Sequence, residues 1–177
     1  MTAVKIVAAV LALAIVAVLV IAAFKPDTFR VQRRATIKAP PDKIFPLLSD
    51  FQRWGAWSPW EKKDPDMKRS FSGPSQGKGA VYAWEGDKNV GTGRMEIVEA
   101  VPASRVGLKL DFMKPFEAHN SVQFDLIPKG EMTEVVWNMQ GPAPYVAKIM
   151  HVFVNMDRMV GADFEAGLAN LKSVAEK

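Results

Sequence analysis

Few side chains in this 177-residue chain are equipped for chemistry. It has no cysteine, which excludes disulfides, thiolate metal ligands and a cysteine nucleophile. Its two histidines are His119 and His151. His119 shares a strand phase with Ser121, Gln123 and Asp125 and is expected to face solvent. His151 follows Met150 and is expected off the apolar stripe of its helix. Neither belongs to an HExxH pattern or a close acidic cluster, so no metal and no cofactor is expected. No nucleophile elbow is present. The segment Gly73-Pro74-Ser75-Gln76-Gly77-Lys78-Gly79 lacks the Walker spacing and its Ser/Thr, and it joins two strands. It reads as a flexible hairpin loop. Two polar groups remain as catalytic candidates. Asp157 lies four residues after Phe153 and three before Val160, beside an apolar stripe. Buried and unpaired, it would have a raised pKa and act as a general acid or base. Solvated, or paired with Arg158 or another base, it would be structural. Tyr82, inside a strand, is the second candidate.

The elements that must position these groups follow from periodicity. Phe29 to Ala39 alternates like a strand, and Pro40-Pro41-Asp42 ends it and starts a helix carrying Ile44, Phe45, Leu47, Leu48 and Phe51. That helix fades into a tryptophan-rich turn, Trp54-Gly55-Ala56-Trp57-Ser58-Pro59-Trp60. Six strand patterns follow, over 67–72, 80–85, 90–100, 105–112, 119–127 and 133–140, split by Gly, Pro and Asp turn chemistry. From Tyr145 to about Ala175 the period becomes helical, with Val146, Ile149, Met150, Phe153, Val160, Phe164, Leu168 and Leu171 on one stripe. One long helix is expected there, packed on an antiparallel sheet.

Ahead of this domain every residue from Ile6 to Phe24 is apolar. A helix of roughly 20 apolar residues crosses a hydrocarbon core. The run exceeds the 7–15 or so apolar residues of a signal peptide, and its only cleavage candidates, Val20-Ile21-Ala22 and Ile21-Ala22-Ala23, are imperfect. The expected division is therefore a single-pass anchor over 1–25 and one folded domain over 26–177. Lys25, Arg30, Arg33, Arg34 and Lys38 follow the run and only Lys5 precedes it, a count that favours a cytoplasmic domain. But Arg33, Arg34 and Lys38 fall in the expected strand, where charges orient a helix less, and the side is left open. The whole chain carries a formal charge of +4, of which Lys5 and Lys25 account for two. No basic stripe interleaved with aromatics stands out, so a nucleic-acid role is unsupported. The apolar run lacks glycine and shows no GxxxG pairing signal, so oligomeric state is left open.

The folded part resembles the START-like, Bet v 1-like superfamily, also called SRPBCC or polyketide cyclase/dehydrase proteins. The resemblance rests on Ala39-Pro40-Pro41-Asp42-Lys43-Ile44-Phe45 with Leu47-Leu48-Ser49-Asp50, and on the Trp54–Trp60 turn. It extends to Tyr82-Ala83-Trp84-Glu85-Gly86, Gly91-Thr92-Gly93-Arg94-Met95, Thr133-Glu134-Val135-Val136-Trp137 and the terminal segment from Gly161 to Lys172. It implies an α+β helix-grip fold, a curved antiparallel sheet wrapped around a long C-terminal helix. Members differ widely in function, including lipid carriers and cyclases, so the resemblance is more specific for fold.

Strand alternation puts Tyr82 and Trp84 on one face, as it does Leu110 and Phe112, Val122 and Phe124, and Trp137 and Met139. With Met150, Phe153 and Asp157 opposite, these residues are the expected lining of an apolar cavity between sheet and helix. For any one of them, plain core packing is the competing reading. Trp54, Trp57 and Trp60 would cap the cavity mouth, sit at a lipid interface, or anchor the helix end. The function expected is binding of a small hydrophobic ligand (a lipid, isoprenoid or polyketide-like molecule) at a membrane. A cyclase or dehydratase using the same cavity, and a protein-interaction module, are the alternatives.

Overall fold

A computed structural model describes residues 2–177. The order is α1 (Thr2–Ala23), β1 (Thr28–Ile37), α2 (Pro41–Ser49), a 3₁₀ turn (Phe51–Ala56), α3 (Trp60–Lys63), then β2 (Lys68–Ser72) and β3 (Val81–Glu85). It continues with β4 (Thr92–Val101), β5 (Arg105–Lys114), β6 (Ala118–Lys129), β7 (Met132–Pro142), α4 (Tyr145–Phe153) and α5 (Met156–Ala175). The seven strands form one antiparallel sheet in the order β1-β7-β6-β5-β4-β3-β2. The first strand closes against the last, while β2 is left at the far edge. Register shifts in the β4–β5 pair, between Thr92 and Gly93 and between Ile97 and Glu99, mark bulges that bend strands and increase twist. With α5 against one face of this curved sheet, the fold is a helix-grip α+β fold.

The strand alternation read from the sequence is the one the core uses. Tyr82 and Trp84, Val106 and Leu108, Val122 and Phe124, Val135, Trp137 and Met139 are all buried. The tryptophan turn works as an anchor. Trp54 and Trp57 are buried, and their indole N–H groups donate to the carbonyls of Leu48 and Leu47 at 3.1 and 2.9 Å. Those carbonyls belong to the last turn of α2, which leaves acceptors without helical partners. Trp60 is half-buried, edge-on to Trp137 and Phe164.

The expected single C-terminal helix is two helices. α4 ends at Phe153, and Asn155 opens α5 with its side-chain oxygen accepting from the backbone N–H of Arg158 at 2.9 Å. Asn is a favoured N-cap because its side chain satisfies a free N–H of the first turn. The break redirects the chain. Phe164, Leu168 and Leu171 of α5 face the core, whereas Val146, Met150 and Phe153 of α4 are exposed. α4 packs instead against the end of α1. The described residues of α1 are exposed along almost its whole length.

Candidate functional site

The space expected as a cavity between sheet and helix is filled by rings. Trp137 of β7 stacks on Phe164 of α5, and Phe124 lies against Trp137 at 4.8 Å between centroids. Trp54 and Trp57 meet Phe124 edge-on. Trp84 is tied by its N–H to the Val90 carbonyl at 3.1 Å and lies edge-on to the half-buried Phe112. Leu110 and Met139 are buried beside them. Eight of the residues expected to line a cavity therefore sit in or against one core, Tyr82, Trp84, Leu110, Phe112, Val122, Phe124, Trp137 and Met139, and Phe164 of α5 packs among them. Within it, the Trp137 indole N–H has no hydrogen-bond partner among the described residues. An unpaired buried donor costs about 1–3 kcal/mol.

Met150 and Phe153 are not brought to that core. They lie on the outward face of α4, because the break at Val154 and Asn155 turns this face away from the sheet. Asp157 is also outside, its side chain 59% exposed. It pairs with Arg33 of β1, Nη1 to Oδ1 at 2.9 Å, while the Arg33 Nε reaches Glu165 at 2.6 Å. The guanidinium lies over Gly161, where any side chain would collide with it. Asp157, Gly161 and Glu165 are successive i, i+4 positions, so one face of α5 offers two carboxylates with a gap between them for the arginine. The hydrogen bond from Arg33 holds the Asp157 carboxyl below its ordinary pKa. The raised pKa required of a general acid is therefore not met, and Asp157 is a clasp between β1 and α5.

Open space is found at the other edge of the sheet. A groove of about 500 Å³ is lined by Phe51, Gln52 and Gly55 of the 3₁₀ turn, Glu61 of α3, and Arg69 and Phe71 of β2. A smaller hollow of about 210 Å³ shares Phe51, Gln52 and Phe71 and runs on along Ser72–Ser75. Antiparallel pairing puts Phe71 directly across from Tyr82. Their rings stack at 5.1 Å and 15°, and Phe71 remains 46% exposed. The rim is polar and internally paired. The Tyr82 hydroxyl donates to Glu61 Oε1 at 2.7 Å, and Arg69 Nε donates to Glu61 Oε2 at 2.8 Å. Burial, and then the bond to Glu61, push the Tyr82 phenol above its ordinary pKa. The same carboxylate raises that of Arg69. Tyr82 is thus a protonated donor that fixes the groove wall.

The sequence singled out Tyr82 but not Phe51, Glu61, Arg69 or Phe71. The i, i+2 spacing of Arg69 and Phe71 puts them on one face of β2, a signal that the strand pattern over 67–72 contained. Their partner Glu61 sits on a single helical turn that leaves no periodic trace.

The histidines stand apart from both regions. His119 is exposed and contacts Asp111 and Glu117 at 2.7 and 3.2 Å, and the bond to Asp111 raises its pKa. His151 lies edge-on to Phe29, with its pKa lowered by partial burial and then by Lys25.

Solved structures share this fold at low identity. A Chromobacterium violaceum protein is 14% identical over 86% of this chain and 99% of its own, with a TM-score of 0.60. The Aha1 dimer from Colwellia psychrerythraea is 18% identical over 84% and 96%, with a TM-score of 0.57. Ara h 8.0201 is 11% identical over 84% and 97%, with a TM-score of 0.56. These likenesses establish the Bet v 1 and polyketide cyclase fold and nothing finer. No curated protein matches the sequence significantly. The family model described as polyketide cyclase / dehydrase and lipid transport matches residues 28–176, the whole folded domain, and the chain belongs to that family.

Proposed function

We propose that this protein is a membrane-tethered binder of a small apolar ligand, a lipid, isoprenoid or polyketide-like molecule, taken up at the groove between the 3₁₀ turn and β2. The observation that carries the reading is Phe71, a large ring held half-exposed on an edge strand as the floor of that groove. From it a line of ring contacts runs inward: Phe71 to Tyr82, Tyr82 to Phe51, Phe51 to Trp54, Trp54 to Trp57, and Trp57 to Trp137. To go further in, a ligand entering over Phe71 has to part these packed rings. At the inner end it meets the residues expected from the sequence to line the site, where the free Trp137 N–H offers a donor to a carbonyl or hydroxyl. Burying about 300 Å² of apolar ligand contributes roughly 7 kcal/mol before the costs of association.

The tether is α1. Its span of 21 residues, Ala3–Ala23, apolar apart from Lys5, reaches about 30 Å at ~1.5 Å per residue, the thickness of a hydrocarbon core. It would hold the binder where apolar ligands partition. The charges following α1 favour a cytoplasmic domain.

The test starts with the full chain in detergent, analysed for co-purifying small molecules by native mass spectrometry and lipid extraction. Oleate and farnesol are then titrated against tryptophan fluorescence. Binding that Phe71→Ala weakens about tenfold, the equivalent of ~1.4 kcal/mol, supports the groove. Binding that ignores Phe71→Ala removes the groove from the reading. No co-purifying molecule and no response to either probe removes the binder itself.

A further inference from the structure

α4 is arranged inside out for a helix on a water-soluble surface. Its lysine, Lys148, is buried and paired with Asp27, the residue just before β1. Its large apolar residues face away from the domain, Val146 70% exposed, Met150 45% and Phe153 72%. The three are spaced i, i+4 and i+7, so they form one stripe. A soluble domain gains by the opposite arrangement, and a contiguous exposed apolar stripe marks a surface that something covers.

The position of α4 on α1 says what covers it. The Tyr145 hydroxyl donates to the Leu19 carbonyl at 2.8 Å. Leu19 lies five residues (24 − 19) before Phe24, the last residue of the apolar run. At ~1.5 Å per residue this contact sits about 7.5 Å inside the apolar end of α1. Helices that lie in a membrane interface bury their apolar face to about 5–10 Å. Phe24, 86% exposed where α1 ends, occupies the same zone, and tyrosine is a residue favoured at that level.

We propose that α4 is an interfacial helix, a second membrane contact that lays the stripe Val146, Met150 and Phe153 into the lipid surface beside α1. This deepens the proposed function and rests on α1 spanning the bilayer. α1 alone would leave the domain free to swing on its tether. With α4 seated, the domain has a fixed tilt on the membrane, maintained by the Tyr145–Leu19 and Lys148–Asp27 contacts.

The absence of cysteine gives a clean test in the full chain. Single substitutions Ala12→Cys, Val146→Cys, Phe153→Cys and Glu131→Cys are spin-labelled and reconstituted into phosphatidylcholine vesicles. Collision with oxygen is compared with collision with a water-soluble nickel chelate. Labels at 12, 146 and 153 are expected to collide with oxygen and lose collisions with the chelate. The label at 131, on the β6–β7 turn, is expected to behave in the opposite way. A lipid-embedded label at 12 with chelate-exposed labels at 146 and 153 overturns the interfacial helix and leaves the anchor standing. A chelate-exposed label at 12 removes the anchor and the interfacial helix together. Spin–spin coupling at 153 with shielding from both reagents assigns the stripe to a second copy of the chain and also overturns the proposal.

Discussion

Trp137 and Phe164 stack face to face, with ring centroids 4.0 Å apart and planes within 8° of parallel. The pair joins β7 to α5 at the centre of the grip. It also explains why the interior is closed here. A ring from the sheet and a ring from the helix occupy the gap that a curved sheet leaves beneath a straight helix. Trp57, Trp60 and Phe124 pack around the pair in edge-on and tilted contacts, an arrangement that adds to plain area burial. Opening a path for a ligand means moving these rings as a group, starting from the exposed Phe71 end.

The stacking depends on Gly167. A Cβ at that position would lie 2.8 Å from Trp137 Cζ3 and 3.1 Å from Pro59 Cδ. Neither neighbour is the loose end of a flexible chain. Gly167→Ala gains about 1 kcal/mol of helix propensity but overpacks a closed core, which costs about 1–3 kcal/mol. The net expectation is destabilisation by about 1 kcal/mol, or a fall of roughly 2–4 °C in thermal midpoint. Calorimetry on the full chain reads it. A midpoint at or above that of the unaltered protein would mean that α5 shifts freely on the sheet.

Asp157→Asn tests the clasp between β1 and α5. The folded carboxyl has a pKa below its ordinary value of about 3.9, because Arg33 hydrogen-bonds its charged form. The stability this provides is present above the ordinary carboxylate pKa and is lost as pH falls through the folded-state value. The variant lacks it throughout. Urea midpoints of the two proteins should therefore differ near pH 7 and converge under acid. Glu165 still holds Arg33, so the variant is expected to fold. Parallel pH curves would show that the pair contributes nothing, as many exposed ion pairs do.

Much of the fold was legible because its core obeys simple periods. The alternation of Val135, Trp137 and Met139, and that of Val122, Phe124 and Leu126, carried both strand identity and inward face. The stripe from Val146 to Leu171 misled, because apolar residues on an exposed helix face, as Val146, Met150 and Phe153 are, have the same spacing as ones facing a core. The Asn155 cap was the signal that separates the two helices, and it sits between apolar runs that continue the helical period. Asp157 stood out for its place beside that stripe, yet its partner lies in β1, 124 residues away in sequence. The groove was harder still. Its walls come from a 3₁₀ turn, a four-residue helix and an edge strand whose residues are all exposed, and no sequence period links the three.

Tyr82→Phe separates a structural from a chemical role for the phenol. The substitution keeps the ring that stacks on Phe71 and removes the hydroxyl that donates to Glu61. Hydrogen bonds to charged groups contribute about 1.5–3 kcal/mol, and Glu61 keeps Arg69 as a partner, so a loss near the lower figure is expected. The raised phenol pKa gives a second signature. Its stabilising contribution is present below the ordinary phenol value of about 10 and is lost as pH rises through the folded-state value. In alkaline titration followed by phenolate absorbance, the signal that Tyr82→Phe removes should be one that appears only above the ordinary range. If Tyr82 only fixes the wall of an apolar groove, oleate affinity should stay within about threefold, less than ~0.7 kcal/mol, while Phe71→Ala weakens it. A collapse of binding on loss of the hydroxyl alone would instead assign Tyr82 a direct polar contact with the ligand, and would make the rim, rather than the aromatic floor, the source of affinity.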